Sequence, residues 1–458
     1  MLGGRRAAWG DMETQSSDTA DTLRSTTGSG SSRADAEPAV TPAQPVHPYV
    51  HVVVVAVIGA AAVLAWLIVF ETVNKVLWEN DFVVANPWVF PVICLPFSLL
   101  VGLLVKYMHA PTNLDESMLD SLAGDVSKID WRRLPIAIVM PLVSLFSGAV
   151  LGPEGGIGGI ASKLAAMYNE KVGIPVEHRQ QIVFSTLASA YNGLIANPLF
   201  TGVLGNELIP DPQVRTRTLP ANLIGGSIGY LIFLAYGSTG LENYLHLTNT
   251  QAYAPIDIAL VVLCGFLGLV LALIAGALFR VASAVFGRFK GREVERALAA
   301  GLVFSVVGVF APILLFSGET QIQTVVADPA RYGPFLLVVM AVVKLGLLSV
   351  AFKSGFLGGP TFPSIFASVC VALALSLLFP GVRSDVLIGG VMAGFLVVLF
   401  KAPFMVILLT IVMLQATAEL TALIVLAVAA VLIMQPYILA GIAARQATRA
   451  ARRNATST

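Results

Sequence analysis

Between Tyr49 and Leu439 the chain is a succession of apolar segments interrupted by glycine, proline and short charged loops. A helix needs about 20 residues to cross the hydrocarbon core of a bilayer. At that depth every backbone amide has to be paired inside the chain. A bundle of membrane-spanning helices is therefore the fold this pattern permits. Spans are expected at 49–70, 87–107, 134–150, 219–236, 256–281, 297–315, 334–352, 364–379, 384–400 and 420–439. Of 458 residues 56% are hydrophobic and only 12% charged, where a soluble domain carries about 25% charge. Formal net charge is +1, and the basic residues lie at segment ends without interleaved aromatics, so no nucleic-acid partner is expected.

The flanks differ in kind. Residues 1–46 are rich in Ser, Thr, Asp, Ala and Pro and are expected to form a disordered tail, because they cannot bury enough apolar surface to offset ordering. Residues 47–440 form the membrane domain, and 441–458 a short basic tail. Lys106, Lys128, Arg132, Arg133, Arg215, Arg217 and Arg280 cluster with other basic residues in a few loops. If those loops face the cytoplasm, both termini lie inside a multi-pass protein of the cell membrane, in contact with its lipid. Cys94, Cys264 and Cys370 sit in apolar runs at unrelated spacings and read as small core residues; no metal or other cofactor is expected.

Three apolar pieces, 154–168, 181–208 and 401–416, are short or interrupted and carry polar atoms. Broken helices survive at membrane depth only when buried in protein or lining a cavity. Paired interruptions in two halves of a chain point to a transport site. Here "ANPLFTGVL" (196–204) is echoed by "KAPFMVILL" (401–409), and "GPEGG" (152–156) by "GGPTFP" (358–363). The fold expected is all-α, with two inverted-topology repeats of tilted and broken helices.

Glycine loops feeding helix starts have a specific use inside a membrane. The first amides of a helix are unpaired and carry about half a positive charge, so converging starts hold an anion without a fixed cation. "LGPEGG", with Gly155 and Gly156, "SGFLGGPTFP" and the turn before "LDESMLDSL" are three candidate starts. Glu154 stands in the first of them. Its carboxylate can occupy the anion's own seat and leave it on protonation, acting as a gate or proton carrier. Alternatively it is a helix-start acid stabilised by the dipole. Lys344 and Lys353 lie in an apolar stretch, where they draw anions inward, snorkel to an interface or pair with a carbonyl.

These residues resemble those of the CLC family of chloride channels and proton-coupled chloride exchangers, over essentially all of 49–439. The family signature G-[KR]-E-G-P, whose glutamate gates, stands here as Gly152-Pro153-Glu154-Gly155-Gly156. A second signature, G-x-F-x-P, which gives backbone amides to the ion, appears altered as Gly359-Pro360-Thr361-Phe362-Pro363. "WRRLP" (131–135), "NPLFTG", "FSGET" (316–320) and "KAP" follow in family order. By position the first ion-binding motif falls at "PTNLD", where Asn113 or Thr112 stands for the family serine. Proline has no N–H to give, so Thr361 and Phe362 have to supply the donors of the second. The resemblance places Glu207 at or beside the inner proton-transferring glutamate, the alternative being a solvated helix end. It makes Tyr437 the candidate for the central tyrosine, or an interfacial anchor.

The resemblance implies transport of small inorganic anions, chloride first, by proton-coupled exchange in a homodimer with a separate pore in each subunit. The alternatives are a chloride channel without coupling, a fluoride transporter and a non-transporting relative. Enzyme activity is not expected, because no nucleophile or paired metal ligands accompany Glu154 at membrane depth.

Overall fold

Where the chain turns is set mostly by proline and glycine. A computed structural model describes residues 47–112, 129–209, 211–237 and 252–455, with positions 126, 245 and 247. Among them are sixteen α-helices and no strand, so the fold is all-α. The first eight helices are α1 (Pro48–Trp78), α2 (Asp81–Ala85), α3 (Phe90–Met108), α4 (Leu134–Phe146), α5 (Glu154–Val172), α6 (Val176–Ala190), α7 (Pro198–Leu208) and α8 (Pro212–Tyr236). They are followed by α9 (Ile256–Phe286), α10 (Glu293–Phe310), α11 (Glu319–Ala327), α12 (Gly333–Lys353), α13 (Thr361–Leu378), α14 (Ser384–Phe400), α15 (Pro403–Leu414) and α16 (Ala418–Ala455). Proline opens α1, α7, α8 and α15 at the first helical position, where its missing N–H costs nothing. Left-handed Gly173 and Gly237 close α5 and α8.

Seven helices are long and apolar enough to cross a membrane, which makes this a multi-pass membrane protein. The span expected at 134–150 stops at Phe146 instead, because the chain turns at Gly148, with φ +77°, to enter the GPEGG loop. Helix α16 runs through the boundary expected at 440 and on to Ala455. The tail 1–46 lies outside the described residues.

Packing repeats between the halves. Helix α1 packs on α6 and α8, α4 on α5, and α7 on α8. In the same order α9 packs on α14 and α16, α12 on α13, and α15 on α16. The halves interlock where α3 meets α10 and α7 meets α15. Small residues make the close crossings: Gly229 of α8 lies on the Ser189 backbone of α6, and Gly394 of α14 on the Gly265 backbone of α9. Apolar burial gives little drive for association inside lipid, so contact at small residues carries much of it. A Cβ at Gly394 has nowhere to go but into backbone. Gly394→Val is expected to destabilise the domain by about 3 kcal/mol, as overpacking does, seen as a lower thermal unfolding midpoint and poor recovery of monodisperse protein in detergent.

Candidate functional site

The two glycine signatures meet. Gly152 and Gly359 form an antiparallel bridge, each donating its N–H to the other's carbonyl at 2.8 Å. This bridge fixes the starts of α5 and α13 side by side, so two helix N-termini converge from opposite halves of the chain. Leu357 adds a third tie, donating its N–H to the Ser144 hydroxyl on α4 at 3.0 Å.

Glu154 is the first residue of α5 and is 5% exposed. Its side chain reaches across the bridge, and Oε1 accepts the Thr361 N–H at the start of α13 at 3.1 Å. Oε2 is buried without a hydrogen-bond partner among the described residues. The carboxyl thus lies where the positive ends of two helices overlap, with one oxygen held and the other open to a proton or a donor. Leaving a carboxyl half-satisfied in a buried site is costly.

The glycines around it have separate tasks. A side chain at Gly152 or Gly359 would collide with the Glu154 carboxyl. Gly155 packs on the Gly358 backbone, and Gly156 under Trp66 and Pro141. The Gly359 N–H is committed to the bridge and the Gly156 N–H to the Pro153 carbonyl, at 2.9 Å. Both were expected to offer amides to an anion; here they give the space and the turn, and the available donor is at Thr361. Thr112 is half-buried beside Gly355 and Arg296, at the entry to the loop that leads to Gly359. Asn113 lies outside the described residues.

Two other expected residues are placed elsewhere. Glu207, in the last turn of α7, accepts the Phe404 N–H at 3.0 Å and the Met405 N–H at 2.6 Å. It caps the start of α15, whose own preceding residue, Ala402, offers no side-chain cap. A capping carboxylate removed to alanine costs about 1–2 kcal/mol. Glu207→Ala is accordingly expected to lower the unfolding midpoint by a few degrees, while Glu207→Gln, which keeps one acceptor oxygen, loses less. Tyr437 is 72% exposed on α16 and is not brought to Glu154. The helix continues through Pro436 instead of breaking there, so Tyr437 stays on its outer surface.

A tyrosine does reach Glu154, but from another element. Tyr191, in the short turn between α6 and α7, is 4% exposed, and its hydroxyl donates to the Glu154 backbone carbonyl at 3.2 Å. Its signal in the sequence was its place in "SAYNGLIANP", a Gly- and Asn-bearing break just ahead of a proline-started helix. Beyond this site, Lys344 on α12 is completely buried and donates to the Leu315 and Phe316 carbonyls at 2.8 and 3.0 Å, with the Phe366 ring 4.7 Å away. Of its three sequence readings, carbonyl pairing is the one observed. Phe316 in turn donates its N–H to the Gly148 carbonyl at 3.4 Å, which ties Lys344 to the turn before the GPEGG loop.

The fold and the chain resemble known proteins. Over 360 residues the chain is 23% identical to YfeO of Shigella flexneri, covering 75% of this chain and 83% of that one. A YfeO from Escherichia coli O1:K1 / APEC is 24% identical over 362 residues with the same coverage. Among solved structures, a slow cyanobacterial Cl-/H+ antiporter superposes with a TM-score of 0.72 at 19% identity, over 84% of this chain and 92% of that one. A CLC-type fluoride/proton antiporter gives 0.67 at 17% identity, over 85% and 95%. The family model for the voltage gated chloride channel matches residues 97–435, nearly three quarters of the chain and both halves of the bridged site. The chain belongs to the voltage-gated chloride channel (CLC) family of membrane anion-transport proteins.

Proposed function

We propose that this protein exchanges chloride for protons across the cell membrane, with Glu154 as the group that alternates with the anion. The observation that carries the reading is the Thr361 N–H held on Glu154 Oε1 where two helix starts converge. A carboxylate in that position is a tethered anion occupying an anion seat. When Oε2 takes a proton the carboxyl becomes neutral, its attraction to the helix ends falls, and a halide can replace it at the Thr361 and Phe362 amides. Return of the ionised carboxyl expels the halide. Each cycle then moves an anion one way and a proton the other. Among the described residues no arginine or lysine is paired with the Glu154 carboxyl, which fits binding weak enough for release. The antiporter function of both solved relatives supports exchange over a simple channel. Homodimers with one pathway per copy and both termini on the cytoplasmic side complete the proposal.

Purified protein in liposomes tests it. An outward chloride gradient imposed without a pH gradient is expected to drive protons inward against their own gradient. Chloride movement with no proton movement means a channel, and no anion flux at all sinks the proposal. Running the same assay with bromide, nitrate and fluoride sets the anion order; fluoride outpacing chloride replaces chloride as the substrate. Glu207→Ala in this assay separates its two readings, since a cap alone leaves proton coupling intact.

A further inference from the structure

A cavity of about 620 Å³ lies among α9, α12, α13 and α14, with Pro360 and Ser364 lining it at the α13 start. Small-molecule sites run from roughly 300 to 1,000 Å³, so it is large enough to hold a ligand. Its walls are apolar, formed by residues such as Ala275, Leu348 and Val398. Three polar side chains break that pattern, of which Ser349 is satisfied by the Leu345 carbonyl at 2.8 Å. The Ser364 hydroxyl is fully buried and has no hydrogen-bond partner among the described residues. Lys353, at the end of α12, is half-buried with its ammonium 5.0 Å from the Phe279 ring centre, and no carboxylate pairs with it among the described residues.

An unpaired ammonium on an apolar cavity in a membrane domain defines the chemistry of an occupant. It has a long hydrocarbon body, which the walls take, and one anionic head, which neutralises Lys353. A neutral lipid leaves Lys353 unmet, and a cationic amphiphile is repelled. We propose that this cavity binds the carboxylate form of a single-chain fatty acid from the surrounding bilayer. Pro360 and Ser364 flank Thr361, whose N–H holds Glu154, so the occupant bears on the turn that forms the anion seat.

The test is photolabelling of full-length protein in phosphatidylcholine vesicles with a diazirine-bearing C16 fatty acid, mapped by peptide mass spectrometry. Label is expected on α9 or α12 at the cavity wall, competed by oleate and not by oleyl alcohol. Lys353→Gln is expected to cut labelling about tenfold, the worth of one charge-assisted contact, and Lys353→Arg to retain it. Gly276 lines the cavity, and a Cβ added there meets nothing within 4 Å, so Gly276→Phe can begin its side chain in open space and is expected to abolish the label. Equal competition by oleyl alcohol overturns the proposal. So does label that survives both Lys353→Gln and Gly276→Phe, which marks annular lipid only.

Discussion

Glu154→Gln protein in liposomes is expected to carry anions with no coupled proton movement, at a rate that no longer varies with pH. Glutamine has the size of the protonated acid and keeps an oxygen able to accept the Thr361 N–H. It cannot ionise, so it neither competes with a halide as a charge nor carries a proton. In the unmodified protein the ionised carboxyl holds the seat more of the time as pH rises, and flux is expected to fall from acid to neutral pH. The substitution removes that slope. It is expected to remove coupling entirely: among the described residues the Thr361 N–H holds the Glu154 carboxyl, Tyr191 holds its backbone carbonyl, and no second carboxyl is bonded there. Proton pumping that persists unchanged in this variant rules out Glu154 as the alternating group.

The second large effect is on folding. Lys344→Ala is expected to destabilise the domain by about 3–5 kcal/mol, with a strongly lowered yield and unfolding midpoint. The ammonium satisfies two carbonyls, of Leu315 and Phe316, in a place with no water to take over, and its stem fills space beside Gly318. Lys344→Met keeps most of the volume and loses only the two charge-assisted bonds, so its midpoint falls less. Thermal unfolding in detergent gives the order: wild type, then Met, then Ala. A methionine variant with an unchanged midpoint but weakened chloride flux reverses the assignment and makes Lys344 an attractor of anions.

Much of this was legible in the residues because lipid leaves a chain few choices. Twenty-residue apolar runs had to be helices, and the interruptions at Glu154, Pro198, Pro360 and Pro403 had to be buried among them. The echo between 152–156 and 358–363 foretold that the two loops correspond. It did not foretell that they bond to each other through Gly152 and Gly359, since pairing depends on how the halves close. For the same reason the use of the Gly359 N–H was not legible: it is spent on the Gly152 carbonyl across the bridge, while the Gly156 N–H goes to Pro153 in its own turn. Glu207 was read as an inner proton-transferring acid or a solvated helix end; its carboxylate accepts from the start of α15, 197 residues away in sequence, which no local pattern reports. Tyr437 was chosen for its nearness to the family's position, and an unbroken helix carries it outward. Tyr191, set in the Gly- and Asn-bearing break before α7, comes inward.

The most direct measurement is anomalous scattering from bromide in crystals of the Glu154→Gln protein. The account predicts a bromide within hydrogen-bonding distance of the Thr361 amide, where Glu154 Oε1 now sits, and none at that position in wild-type crystals grown at high pH. Bromide bound only elsewhere, or bound at the Thr361 amide while the wild-type carboxylate keeps its present hydrogen bond, contradicts the claim that acid and halide take one seat in turn.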